Sequence, residues 1–266
     1  MNYNNISIEN KNGIVYLKLN RPKVLNALNH ETVYELDQAF KKLSLDRSII
    51  GVIITGEGRA FAAGADITEI TKVEEGESSN LTERFYDYLG QIRQTFGRIA
   101  KFPRPVIAAV NGHALGGGFE LALNCDIIIT STKARFGLPE GKLGLVPSYS
   151  GTQLLPRIVG PNIAKELLFT GQQITAEEAK EIGITRYVVE PEKLLEKAEE
   201  LIMTMANNAP IAIKYAKMAV NKGLDMPLDD ALEFERAIGS LALATNDAQE
   251  GIQAFIDKRT PNFKNS

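Results

Sequence analysis

Residues 105–150 read PVIAAVNGHALGGGFELALNCDIIITSTKARFGLPEGKLGLVPSYS. Val106 to Val110 is a continuous apolar run of the kind that fills a strand buried on both faces. Gly116-Gly117-Gly118 follows and opens a short helix through Phe119-Glu120-Leu121-Ala122-Leu123. Asp126 to Thr130 forms a second strand, with Cys125 at its start as a small core thiol. Glu140 then falls in the turn-like segment Gly137-Leu138-Pro139-Glu140-Gly141. Strand, glycine-rich helix start and strand in succession predict an α/β core.

The chemistry of this stretch follows from its helix start. The first N–H groups of a helix have no intrahelical acceptor, and the helix dipole is positive there. A developing oxyanion fits such a place. Gly117 lies where an N–H can point outward, with no Cβ on either neighbour. Ala65, in the small-residue run Phe61-Ala62-Ala63-Gly64-Ala65-Asp66-Ile67, is the candidate for a second donor. Losing one donor of such a pair costs about 3 kcal/mol of transition-state stabilisation. Close helix–strand packing is the other use of a glycine triplet. Glu120 and Glu140 flank one strand, so they can converge on one pocket and divide general acid and base work, crowding pushing their pKa values apart. Taken singly, each carboxylate also reads as a cap or surface residue. His113, between Gly112 and Ala114, is a rival base in a tightly packed position that reads as structural.

Outward from this centre, the pattern continues on both sides. Ile14 to Leu19 is β-rich and ends at Asn20-Arg21-Pro22; Asn29 caps a helix whose Val33, Leu36, Phe40 and Leu43 share one face. Ile49 to Thr55 is a buried strand closed by Gly56-Glu57-Gly58. Residues 72–83 are polar and acidic and read as a loop or frayed helix start, and Phe85, Leu89, Ile92, Phe96 and Ile99 mark an amphipathic helix ended by Pro103 and Pro105. The 72–100 segment has the pattern of an ordinary packed helix. Thr175-Ala176-Glu177-Glu178 matches a capping box, and Tyr187 to Val189 is a last short strand. From Pro191 onward the pattern is helical, and residues 228–245 carry more apolar surface than one face needs, so the core or a neighbouring subunit is expected to cover them. Lys258-Arg259 reads as a phosphate clamp or an ordinary cationic helix end.

Bulk properties narrow the function classes. The chain has 266 residues, 44% of them apolar, and a net charge of -3, which gives no overall basic field for nucleic acid. One cysteine and two histidines rule out an internal disulfide framework and leave little for a metal site. The N-terminus lacks a cationic start and an apolar core, and no uncharged apolar run approaches the length of a membrane span. A cytoplasmic protein without a membrane partner is expected.

Together these segments resemble the crotonase (enoyl-CoA hydratase/isomerase) superfamily over nearly the whole chain. Asn20-Arg21-Pro22-Lys23 with Leu25-Asn26-Ala27-Leu28 looks like its N-terminal signature. The Phe61–Ile67 run and the Pro105–Gly112 and Ala114–Gly118 segments look like its two oxyanion segments, and Ala254-Phe255-Ile256-Asp257-Lys258-Arg259 looks like its C-terminal helix. The resemblance implies an α/β spiral of ββα turns over residues 1–195, carrying the site, and a C-terminal helical trimerisation region over 196–266. It implies a homotrimer or dimer of trimers. It also implies an acyl-CoA thioester substrate, with coenzyme A as part of that substrate and no separate cofactor or metal. The thioester oxygen would accept from the Ala65 and Gly117 N–H groups. Lys23, Leu25, Ala63, Asp66 and Ile67 would lie along the adenine, and Phe255 and Lys258 would reach the coenzyme of a neighbouring subunit.

Hydratases similar to this chain keep two glutamates around one water. In that pattern Glu120 helps activate the water and Glu140 supplies the proton to Cα, giving a 3-hydroxyacyl-CoA from a 2-enoyl-CoA. Isomerases of this fold usually keep one carboxylate, at the position of Glu140, and are the alternative reading. A non-catalytic RNA-binding relative is the alternative of another class. It needs a basic helix face, whereas residues 35–47 set Lys41, Lys42 and Arg47 against Glu35, Asp37 and Asp46. Two departures from the family pattern stand out. Thr68 replaces a frequent lysine near the phosphates, and Ser148 replaces a glycine close to the catalytic water. The sequence leaves acyl chain length open.

Overall fold

A computed structural model describes residues 3–70 and 80–266. Its first half is built from a repeated unit: a long strand, a short strand, then helix. The first hairpin, β1 (Ile6–Lys11) and β2 (Ile14–Leu19), turns at Asn12-Gly13, both at positive φ. This Asn-Gly pair is a strong hairpin signal. Helix α1 (His30–Leu43) follows. The first full unit is β3 (Gly51–Gly56), β4 (Ala60–Ala62), α2 (Ile67–Ile70) and α3 (Leu81–Ala100). The second is β5 (Val106–Val110), β6 (His113–Leu115) and α4 (Gly117–Leu123). The third is β7 (Ile127–Ser131), β8 (Arg135–Gly137), a 3-10 turn at Pro139–Leu143, α5 (Gly151–Val159) and α6 (Pro161–Thr170). The chain then adds β9 (Gln173–Thr175), α7 (Ala176–Glu181) and β10 (Tyr187–Val189). Four helices end it: α8 (Leu194–Ala206), α9 (Pro210–Gly223), α10 (Leu228–Leu243) and α11 (Asn246–Ile256).

The long strands form one sheet in the order β1-β2-β3-β5-β7-β10, and the short ones form a second in the order β4-β6-β8-β9. All pairings are parallel except β1 with β2 and β8 with β9. Each unit thus contributes one strand to each sheet, and the helices carry the chain around: an α/β spiral of ββα turns. The apolar runs are unbroken because both faces of the large sheet are covered. Val15, Leu17, Val52, Ile54, Val106 and Ala108 point into the main core with Phe40, Phe96 and Phe119. Their strand neighbours Tyr16, Ile53, Ile107, Ala109 and Ile129 point the other way, onto Leu194, Ala198 and Ile202 of α8. A side-chain period of two is all this sorting requires.

Helix ends follow their capping chemistry. Asn29 Oδ1 accepts from the Thr32 N–H at 2.9 Å, and Thr175 and Glu178 complete the capping box. Asn80 caps α3, so the polar stretch read from the sequence as 72–83 contains a helix start at its end; its residues 72–79 lie outside those described. Cys125 sits in the turn after α4 rather than opening the strand, its Sγ 3.6 Å from Leu121 O, and burial pushes its thiol up. Glu35 does not face solvent. Its carboxylate accepts from the Asn4 and Asn5 N–H groups at 2.6 and 2.9 Å and fastens the N-terminus to α1. Asp37 pairs with Lys41 and with Arg98 of α3. Among the described residues, no helix is long and apolar enough to cross a membrane.

Candidate active site

The site forms where the N-terminus of α4 meets the Ala63–Ile67 segment. Leu28 and Ala65 form a parallel bridge in which the Leu28 N–H donates to Gly64 O and Leu28 O accepts from the Asp66 N–H, both at 2.8 Å. That pattern turns the N–H of Ala65 away from Leu28, toward α4. A Cβ built on Gly117 would lie 3.6 Å from Ala65 N, and one on Gly64 would lie 4.0 Å from Gly117 N. The two backbone donors anticipated from the sequence therefore stand side by side. Gly117 is the first residue of α4, where no intrahelical acceptor exists.

Each glycine of the triplet answers a different contact. Gly116 holds φ +48, and a Cβ there would meet Glu140 Oε1 at 2.6 Å. On Gly117 a Cβ would meet the Tyr149 ring at 2.6 and 2.7 Å. On Gly118 it would lie 2.1 Å from Ala62 O, so this glycine lets α4 close on β4. The two readings of the triplet, donor exposure and close packing, thus both apply, at different residues.

Glu120, in the first turn of α4, is 1% exposed. Its Oε1 accepts from the Tyr149 N–H at 2.8 Å and the Gly151 N–H at 2.7 Å, which leaves Oε2 for other partners. Burial pushes its pKa up to about 8; Glu140 adds to the rise, and the two N–H donors oppose it. Both carboxyls border the start of α4: Glu120 lies in its first turn, and Glu140 Oε1 stands 2.6 Å from where a Cβ on Gly116 would be. Glu140 is set by the 3-10 turn after β8; burial raises its pKa, and its Oε2 is buried with no hydrogen-bond partner among the described residues. Two carboxyls with raised pKa values, beside the Ala65 and Gly117 N–H groups, can hold and move a proton next to an oxyanion.

Of the residues that the family resemblance assigns to the coenzyme, those of the two N-terminal segments are neighbours. The Ala63 N–H donates to Leu25 O at 3.0 Å, which sets the Lys23–Leu25 turn against the Ala63–Ile67 segment. Leu25 and Asn26 take positive φ, and Asn26 Nδ2 holds Glu57 O at 2.9 Å and Ala60 O at 2.8 Å. Asp66 pairs with Arg21 at 3.0 Å and accepts from Thr68 Oγ1 at 2.7 Å; these partners hold its carboxyl below the usual range against the upward push of burial. Lys23 and Ile67 are exposed beside it. Phe255 and Lys258 are both exposed at the end of α11, Phe255 at 87%. His113 lies in β6 between β4 and β8, and its Nδ1 is buried with no hydrogen-bond partner among the described residues. Arg259 is committed to Glu250 at 2.7 Å.

Ser148 does not enter the site. It is exposed, and its hydroxyl donates to Val146 O at 2.7 Å. The residues that do enter are its neighbours. Tyr149 presses its ring on Gly117, and Ser150, at φ +106, accepts from Asn124 Nδ2 at 2.7 Å. Sequence reasoning missed both. Their one local signal was that three consecutive non-glycine residues, Ser148 to Ser150, stand in a loop between Pro147 and Gly151.

Two backbone N–H groups side by side with two carboxyls near them suit a carbonyl oxygen that gains charge, and comparison with known proteins gives the family. Residues 9–266 match the model of the family described as enoyl-CoA hydratase/isomerase. The chain is 43% identical to the short-chain-enoyl-CoA hydratase of Clostridium acetobutylicum, over 100% of both chains. It is 41% identical to the crotonyl-CoA hydratase of Syntrophomonas wolfei, over 99% of each. The crystal structure of enoyl-CoA hydratase from Bacillus anthracis superposes with a TM-score of 0.91 at 39% identity, covering 99% of this chain and 100% of that one. The chain belongs to the enoyl-CoA hydratase/isomerase, or crotonase, family.

Proposed function

We propose that this protein is an enoyl-CoA hydratase, a hydro-lyase that adds water reversibly to a 2-enoyl-CoA. The observation that carries the reading is the pair of buried glutamates beside the Ala65 and Gly117 N–H groups. The thioester oxygen accepts from these two donors, which stabilise it as it gains charge. The reacting form carries one proton on the pair: Glu120, in its ionised form and held by two N–H bonds through Oε1, takes a proton from water through its free oxygen. The hydroxyl oxygen bonds to C3, and the C2–C3 π electrons move toward the thioester as an enolate. Glu140, protonated, delivers its proton to C2, giving the 3-hydroxyacyl-CoA. The pair starts with one proton and ends with one, now on Glu120, and exchange with solvent resets it. Dehydration runs the same steps backward.

Lys23, Leu25, Ala63, Asp66 and Ile67 line the coenzyme end, and Phe255 and Lys258 serve the coenzyme of a neighbouring subunit in a trimer or dimer of trimers. The 40%-range identity to hydratases and the retention of both carboxyls favour hydration over double-bond isomerisation. Crotonyl-CoA mixed with the protein should lose its conjugated-enone absorbance as water adds. A product with a shifted double bond and no water uptake would favour the isomerase instead.

A further inference from the structure

The side chain of Tyr149 has no part in the reaction as written, yet it stands at the centre of the site. Its ring edge lies on Gly117, where a Cβ would meet Cδ2 and Cε2 at 2.6 and 2.7 Å. Glu120 and Glu140 both act on its hydroxyl, adding to the upward push of burial. Two rings from α3 back it. Tyr88 and Phe96 each meet Tyr149 edge-on, with centroids 6.1 Å apart. His30, at the start of α1, stacks on Tyr88 at 3.9 Å. The result is a continuous aromatic wall from α1 through α3 to the oxyanion hole, and Tyr149 is 7% exposed within it.

On the acyl-CoA reading the thioester oxygen sits on Ala65 and Gly117, and the Tyr149 ring lies against Gly117, so the ring borders the start of the acyl chain. We propose that Tyr149, backed by Tyr88 and Phe96, is a specificity-determining residue that closes the acyl pocket and restricts the substrate to short acyl chains; this rests on the acyl-CoA reading of the site. The restriction comes from ring volume. The Tyr88 and Tyr149 hydroxyls are buried and act on each other. Tyr149→Phe removes that hydroxyl and keeps the ring. The ring can therefore be separated from the hydroxyl by substitution.

The test compares kcat/KM for crotonyl-CoA and 2-decenoyl-CoA in wild type, Tyr149→Phe and Tyr149→Ala. Wild type should favour the short substrate by about tenfold or more, Tyr149→Phe should keep that ratio within about twofold, and Tyr149→Ala should move it by about tenfold toward the long substrate. Should the alanine variant fail to fold, Tyr149→Leu, which keeps apolar volume against Tyr88, should move the ratio the same way by about threefold. Titration with butyryl-CoA and decanoyl-CoA, which cannot be hydrated, reads the wall without the reaction. Decanoyl-CoA should bind wild type no more tightly than butyryl-CoA, and the alanine or leucine variant distinctly more tightly. Equal use of both enoyl substrates by wild type, or an unchanged ratio in a folded alanine or leucine variant, overturns the proposal. If no enoyl-CoA is hydrated, the hydratase reading fails, and the two binding affinities alone decide whether the wall limits chain length.

Discussion

At Glu120 burial and hydrogen bonding pull one carboxyl in opposite directions. Burial and Glu140 favour its protonated form; the Tyr149 and Gly151 N–H groups favour the ionised one. Burial prevails, and the group is poised at about 8, close to where a general base works best. The same shift fixes a dependence of stability on pH. The folded protein holds a proton on Glu120 that the unfolded chain releases, so this contribution is complete below the ordinary carboxylate range and is lost as the pH rises through about 8. Glu120→Gln keeps the acceptor for both N–H bonds and carries no charge. Its melting temperature should exceed that of wild type at about pH 8.5 and lose most of that margin at about pH 5; a margin independent of pH would contradict the assignment. Gly117→Ala tests the neighbouring donor. Its Cβ would collide with the Tyr149 ring and crowd Ala65 N, so kcat should fall by about a hundredfold or more.

Helix α4 is the element that turns these residues into a site, and its position rests on Gly118. A Cβ there would lie 2.1 Å from a backbone oxygen of β4, which cannot rotate away. Gly118→Ala should cost about 3 kcal/mol or more in chemical denaturation, as overpacking does in a rigid core, whereas Asn29→Ala, which removes the cap of α1 together with the bonds Asn29 Oδ1 accepts from Thr32 Oγ1 and Asn5 Nδ2, should cost about 2 kcal/mol. Much at this scale was legible in the sequence. The long strands read as apolar runs because both their faces are buried, and the capping residues at Asn29 and Thr175 announced their helices. The second sheet did not read, because β4, β6, β8 and β9 are three residues each, too short for a period to repeat. The glutamate pair and the two donors were legible through the family's motifs. Tyr149 was not. Its ring reaches Gly117 only through tertiary folding, and nothing in Pro147-Ser148-Tyr149-Ser150 says which side chain turns inward.

In the molecule as a whole, apolar surface is concentrated on the C-terminal helices. Leu228, Leu232, Leu241 and Leu243 of α10 are 51–73% exposed, and Ile238 is the buried residue of that helix. Ile252, Phe255 and Ile256 of α11 are exposed as well. The core of the same chain thus leaves uncovered the surplus read from residues 228–245. A patch of this kind fits a subunit interface, as the proposed trimer needs. Light scattering coupled to size exclusion should give a multiple of the 29.2 kDa chain mass, and Leu232→Lys with Leu241→Lys should shift it toward the monomer. A monomer in the unmodified protein would contradict the proposed assembly and leave Phe255 and Lys258 without a coenzyme to reach. The most direct test of the account is the rate of crotonyl-CoA hydration in wild type, Glu120→Gln and Glu140→Gln, read beside butyryl-CoA affinity. The account predicts turnover by wild type and a loss of about a hundredfold or more in each variant, with affinity unchanged. Wild type that leaves crotonyl-CoA intact, or variants that hydrate it at the wild-type rate, would contradict it.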